Sequence, residues 1–169
     1  MSSKHLKGIV LAGTFCAIAT VCAEEGGNTP ALAKAISGVN ITLQQGLAAS
    51  AHQGRPMSAK YEIDEGTFQL SVYTQKAGKF SEVVVDHTTG KVAKSEAITS
   101  GDDLKEAKAQ SKAMANVKGT LRSAVDQAER AFPGFRAMSV EPKLKAGHTV
   151  AAVTLVKGGQ FKSVSEPLE

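Results

Sequence analysis

The sequence predicts an α+β fold of two similar units, each one helix packed on a three- to four-stranded antiparallel β-meander, joined by a helical linker. Three observations carry this expectation. A helix signal followed by strand–turn–strand occurs near residues 42–85 and again near 120–165. Within both stretches apolar and polar residues alternate, the period-two signature of half-buried strands. The tight turn Lys76-Ala77-Gly78-Lys79-Phe80 is echoed as Lys157-Gly158-Gly159-Gln160-Phe161, an offset of 81 (157 − 76). The helix starts Thr42-Leu43 and Thr120-Leu121 are offset by 78 (120 − 42), so a loop in the second unit absorbs three further residues.

Residues 1–23 read as a secretory signal. Lys4 and Lys7 supply the positive start, Ile9 to Val21 a short apolar run, and Val21-Cys22-Ala23 a small-residue cleavage pattern. That run is shorter than the roughly 20 residues needed to cross a bilayer, and Val21 before Cys22 does not suit lipid attachment. The expected location is periplasmic or secreted, with no stable membrane anchor after cleavage. Cleavage would remove Cys16 and Cys22, the only cysteines of the chain, and with them disulfides, thiolate metal sites and cysteine nucleophiles. The remaining 146 residues (169 − 23) carry 18 basic and 16 acidic side chains, interspersed and without a basic run. This balance gives no support for nucleic acid as a partner.

Residues 24–40 read as a leader and a short helix, with Thr29-Pro30 at its start and Gly38 as its stop. The first unit spans 41–96. Thr42 with Gln45 forms a capping-box pattern, Leu43, Leu47 and Ala51 share a helix face, and Gly54 with Pro56 ends the helix. Ala59, Tyr61 and Ile63 define the first strand, and Phe68, Leu70 and Val72 the second. Phe80 to Val85 forms a third, and Val92 marks a short fourth. The linker, 97–118, has Leu104, Ala107, Ser111 and Met114 at helical spacing. So thin a stripe fits a packed helix and a solvated spacer equally. In the second unit, 119–169, Leu121, Val125, Ala128 and Phe132 form a regular stripe that Pro133-Gly134 stops. Met138 and Val140 open a strand for which Pro142 predicts an edge position. Thr149 to Val156 is apolar on both faces, and Gln160 to Ser165 closes a sheet that lacks the terminal turn and strand of the first unit.

Several of these pieces together resemble PepSY domains. They are Ile41-Thr42-Leu43-Gln44-Gln45 before an alanine-rich helix, the alternating strands, and above all Val85-Asp86-His87-Thr88-Thr89-Gly90-Lys91-Val92. In that last segment Asp86, Thr89, Gly90 and Lys91 form a turn motif, in which Asp86 accepts local backbone hydrogen bonds and Gly90 takes a positive φ. The second unit resembles the family through Thr120-Leu121, Phe132-Pro133-Gly134 and its hairpin, and departs from it by lacking the turn motif. The resemblance implies an extracytoplasmic, non-catalytic domain that restrains a peptidase or binds another protein. It brings no catalytic residues and no cofactor.

Side-chain chemistry points the same way. His52, His87 and His148 lack metal-ligand spacing. The carboxylates Asp64, Glu65, Glu82 and Asp86 come without a nucleophile or an orienting partner, and no serine lies in Gly-x-Ser-x-Gly. Phe68, Phe80, Phe132 and Phe161 fall on expected core faces. Tyr73 shares its face with polar Gln69 and Ser71, so these three are the expected exposed protein-contact residues. The expected function is protein binding, with a peptidase as a candidate partner and an exposed sheet edge as the means. A small-ligand or metal carrier and a structural envelope component are the alternatives.

Overall fold

The computed structural model describes residues 30–168; the expected signal and leader lie outside the described residues. The described residues are α+β, with four α-helices and a seven-stranded antiparallel sheet. Helix α1 covers Pro30–Ser37 and α2 Leu43–Ser50. Strands β1 (Arg55–Asp64), β2 (Thr67–Lys76), β3 (Lys79–Val85) and β4 (Val92–Ile98) follow as a meander. Helix α3 (Gly101–Ala113) and a single 3-10 turn (Met114–Asn116) lead to α4 (Leu121–Ala131). Strands β5 (Arg136–Lys145), β6 (His148–Lys157) and β7 (Gln160–Pro167) form a second meander. The strand order is β4-β3-β2-β1-β5-β6-β7, so β1 and β5 pair at the centre and fuse the two meanders into one sheet.

Local chemistry explains the elements. Thr42 and Gln45 close the expected capping box on α2, and Thr120 with Ser123 closes another on α4. Gly46 lets α2 press onto β2, since a Cβ there would lie 2.3 Å from Cδ2 of buried Leu70. Four of the five β-hairpins turn through two residues of positive φ: Glu65-Gly66, Ala77-Gly78, Ala146-Gly147 and Gly158-Gly159. That backbone suits the right-handed twist of the flanking strands.

Helices α1, α2 and α4 share one face of the sheet, where Ile36, Leu43, Leu47, Leu121 and Val125 pack on Tyr61, Leu70, Val72, Val140 and Leu155. Helix α3 takes the other face, where Ala107 meets Met57, Tyr73, Phe80 and Ile98. The linker helix is therefore packed, not a solvated spacer. Phe68, Phe132 and Phe161 border the main core as expected, whereas Phe80 belongs to the α3 face. It stands opposite Gln75, two residues from Tyr73, and so shares the parity of that face.

The edge position expected from Pro142 is corrected, because β5 is interior and Pro142 is buried. Pairing between β1 and β5 is limited to Ala59↔Val140 and Lys60↔Ser139. Bulges at Met57 and Met138 flank this short ladder. Continuing the register would set Pro142 opposite bulged Met57, where the ladder has already ended and a missing N–H costs nothing.

Candidate functional site

Tyr73, Gln69 and Ser71 occupy one sheet face as the alternation requires, but α3 crosses that face and they are not an exposed contact surface. Tyr73 is 6% exposed and Ser71 1%, while Gln69 is half-buried and donates to Ser71 Oγ at 2.9 Å. The Tyr73 hydroxyl donates to Asp103 Oδ1 of α3 at 2.9 Å. Ser58 Oγ donates to Gln110 Oε1 at 2.8 Å, and Gln110 Nε2 donates to Glu106 Oε1 at 2.8 Å. Ser111 Oγ reaches Gln75 Oε1 at 3.1 Å. Between helix and sheet lies a chamber of about 110 Å³ lined by Ser58, Ser71, Tyr73, Glu106 and Gln110, which also meets Lys60, Ser139 and Glu141.

The electrostatics of the chamber follow from its partial enclosure. Burial raises the Glu106 carboxyl above the ordinary glutamate value, against the pull of Lys60. Burial depresses the Lys60 ammonium, but the hydrogen bond to Glu62 and the neighbouring carboxylates outweigh it and leave the pKa raised. Burial, then the Asp103 bond, pushes the Tyr73 phenol strongly upward, and burial also raises Tyr61. The hydroxyls here bond to amides and carboxylates, which fastens α3 to the sheet.

These two tyrosines are the only ones in the chain, and tryptophan is absent, so the phenols can be read without interference. Both folded pKa values are raised, so folding favours the protonated phenol. That contribution is complete below the unfolded value of about 10 and is lost as pH rises through the folded values. We expect phenolate absorbance to stay flat through pH 10 and to appear together with loss of secondary structure. A phenolate signal near pH 10 from folded protein that Tyr73→Phe removes would show that α3 does not cover Tyr73.

The turn motif forms as its residues predict. Asp86 Oδ1 accepts from the backbone N–H of Thr88 at 2.9 Å and of Thr89 at 2.7 Å, and these bonds, Thr89 first, lower its pKa. Lys91 pairs with Asp86 through its carbonyl at 2.8 Å. Gly90 has φ +72°, and a Cβ there would approach Cδ1 of Ile41 at 3.1 Å. The turn thus buttresses the segment before α2. His52 follows α2, His87 tilts against Phe68 at 4.9 Å, and His148 opens β6, so the three stand apart. Among the described residues, no three His, Cys, Asp or Glu side chains are grouped to hold a metal ion. The carboxylates Asp64, Glu65, Glu82 and Asp86 are spread over two turns and two strands.

Sequence reasoning missed two features beside α2 and α4. The first is a clamp: Arg136 donates to Val39 O at 2.8 Å and Ile41 O at 2.6 Å, and the Tyr61 hydroxyl also donates to Ile41 O. Next to it, Gln44 Nε2 donates to Asp126 Oδ1 at 3.1 Å and Glu129 Oε2 at 2.8 Å, while Glu129 Oε1 accepts from Ala137 N at 2.8 Å. The second is a groove of about 210 Å³ whose apolar wall is Leu47, Ala48, Pro56, Met114 and Leu121, with Arg55 and Arg122 also lining it. The signal was available. Arg55-Pro56-Met57-Ser58 and Arg136-Ala137-Met138-Ser139 repeat at an offset of 81 (136 − 55), the offset of the hairpin turns.

No family model matches the chain. No curated protein matches it either. Among solved structures, a provisionally assigned lipoprotein of Clostridium difficile 630 is similar at 15% identity and a TM-score of 0.41, over 68% of this chain and 75% of that one. A likeness of that size carries no argument about function.

Proposed function

We propose that this chain is an exported, non-catalytic binding protein made of two PepSY-like units, the second lacking a final strand, which holds a protein or peptide by strand addition. The duplication is supported by the 81-residue offset, shared by both bulges, both Arg-x-Met-Ser segments and both pairs of positive-φ turns. It is also supported by the pairing of Ala59 with Val140, its own counterpart at that offset (140 − 59). Two related units meeting edge to edge about a local two-fold axis produce that register. Export rests on the signal pattern in residues 1–23, and no described helix is long and apolar enough to cross a membrane.

The observation that carries the binding reading is β4. It is an outer strand, all of its residues but half-buried Ile98 are exposed, and no described element pairs with its free edge. Lys94 and Glu96, paired at 2.8 Å, are the kind of edge charges that discourage indiscriminate pairing while leaving backbone donors and acceptors open. A secreted peptidase is the partner class that the family resemblance favours. The test is affinity capture by residues 24–169 from the native envelope or secreted fraction. Recovery of a peptidase whose activity falls as the protein is titrated in supports restraint; the absence of any stoichiometric partner removes the reading. The groove beside Arg55 favours a second reading, a carrier of a small ligand.

A further inference from the structure

We propose that the groove between α2, α4 and the start of β1 binds a short apolar monocarboxylate, with the carboxylate held by Arg55 and Arg122 and the hydrocarbon against Leu47, Met114 and Leu121. The inference deepens the small-ligand reading and uses the duplication only for comparison. On the clamp side, Gln44 of α2 faces two carboxylates of α4, Asp126 and Glu129, and donates to both. At the helix offset of 78, Arg122 replaces Gln44 (122 − 44), while Ala48 and Ala51 replace Asp126 and Glu129 (126 − 48, 129 − 51). The groove side thus gains a cation where the clamp side has an amide, and loses both acids. The Arg136 side chain is spent on two backbone carbonyls, whereas the side chains of its counterpart Arg55 and of Arg122 hydrogen-bond no described residue. Asp126, one turn beyond Arg122, is already engaged by Gln44.

Two uncommitted guanidinium groups beside an apolar wall match an anion with a hydrocarbon body, because guanidinium pairs bidentately with carboxylate. Size narrows the class. At about 210 Å³ the groove is smaller than the several hundred Å³ of drug-sized sites, so it suits a short hydrocarbon body. A six-carbon acid with its headgroup at the arginines fits that space.

Ligand-observed NMR titration of residues 24–169 with hexanoate and with hexanol tests the proposal. Hexanoate is expected to bind, at least about tenfold more weakly to Arg55→Ala and Arg122→Ala, and not to Ala48→Leu, which fills the groove. Thermal unfolding of each variant, near wild type, separates lost binding from lost fold. Hexanol binding as well as hexanoate, without dependence on either arginine, would keep a small-ligand groove and overturn the anion site. No binding of either probe at millimolar concentration would overturn both, as would binding confined to an acidic peptide.

Discussion

Val125→Asp is expected to cost about 4 kcal/mol, a large share of the roughly 5–15 kcal/mol that holds a typical domain together. Val125 is 0% exposed, in the middle of the α4 stripe with Leu121, Ala124 and Ala128. An aspartate there must bury an unpaired charge against the sheet or pull the helix away from it. Either response exposes the apolar face that joins α4 to β5 and β6. Gln127→Asp, on the exposed side of the same helix, should stay within about 0.5 kcal/mol of wild type. Urea denaturation of the two variants makes the comparison. Equal stabilities would mean that α4 is not the helix that closes the core.

The second large effect concerns two arginines, Arg55 and Arg136, that stand 81 positions apart in matching Arg-x-Met-Ser segments and do different things. Arg136→Met should cost about 2–3 kcal/mol, since it keeps much of the apolar stem but leaves the carbonyls of Val39 and Ile41 short of charged donors. The loss should concentrate in α1 and in the segment leading to α2, so faster amide exchange there is the local readout. Arg55→Met should change stability by less than about 0.5 kcal/mol, because the Arg55 side chain is exposed and hydrogen-bonds no described residue. Equal costs for the two substitutions would remove the clamp, and with it the contrast that leaves Arg55 available to a ligand.

Legibility differed between elements for physical reasons. The Thr42–Gln45 capping box and the Asp86 turn involve residues within five positions of each other, so their chemistry is complete in the local sequence. The hairpin turns were legible in the same way, through paired small residues between alternating strands. Tyr73 was misread because alternation reports which residues share a face, not what covers it. The cover is α3, whose contact side contains Ala107, Gln110 and Ala113 and whose anchors are hydrogen bonds to Tyr73, Ser58 and Gln75. A helix attached largely through polar groups leaves little apolar periodicity to read. The Arg136 clamp was hidden for a related reason, since it joins positions more than ninety residues apart.

By itself the sequence determined the α+β class, the placement of helices and strands, their order, and the conformations of the turns, because each depends on periodicity or on side chains close in the chain. Only the tertiary structure decided that β1 and β5 join two meanders into one sheet, that α3 seals the second face, and that Pro142 lies inside the sheet. Strand pairing is made by backbone groups common to every residue, so the choice of neighbour leaves almost no side-chain record. The same is true of the open groove, lined by small Ala48 on one helix and by Leu121 and Arg122 on another, an arrangement that acquires meaning only when the helices are brought together.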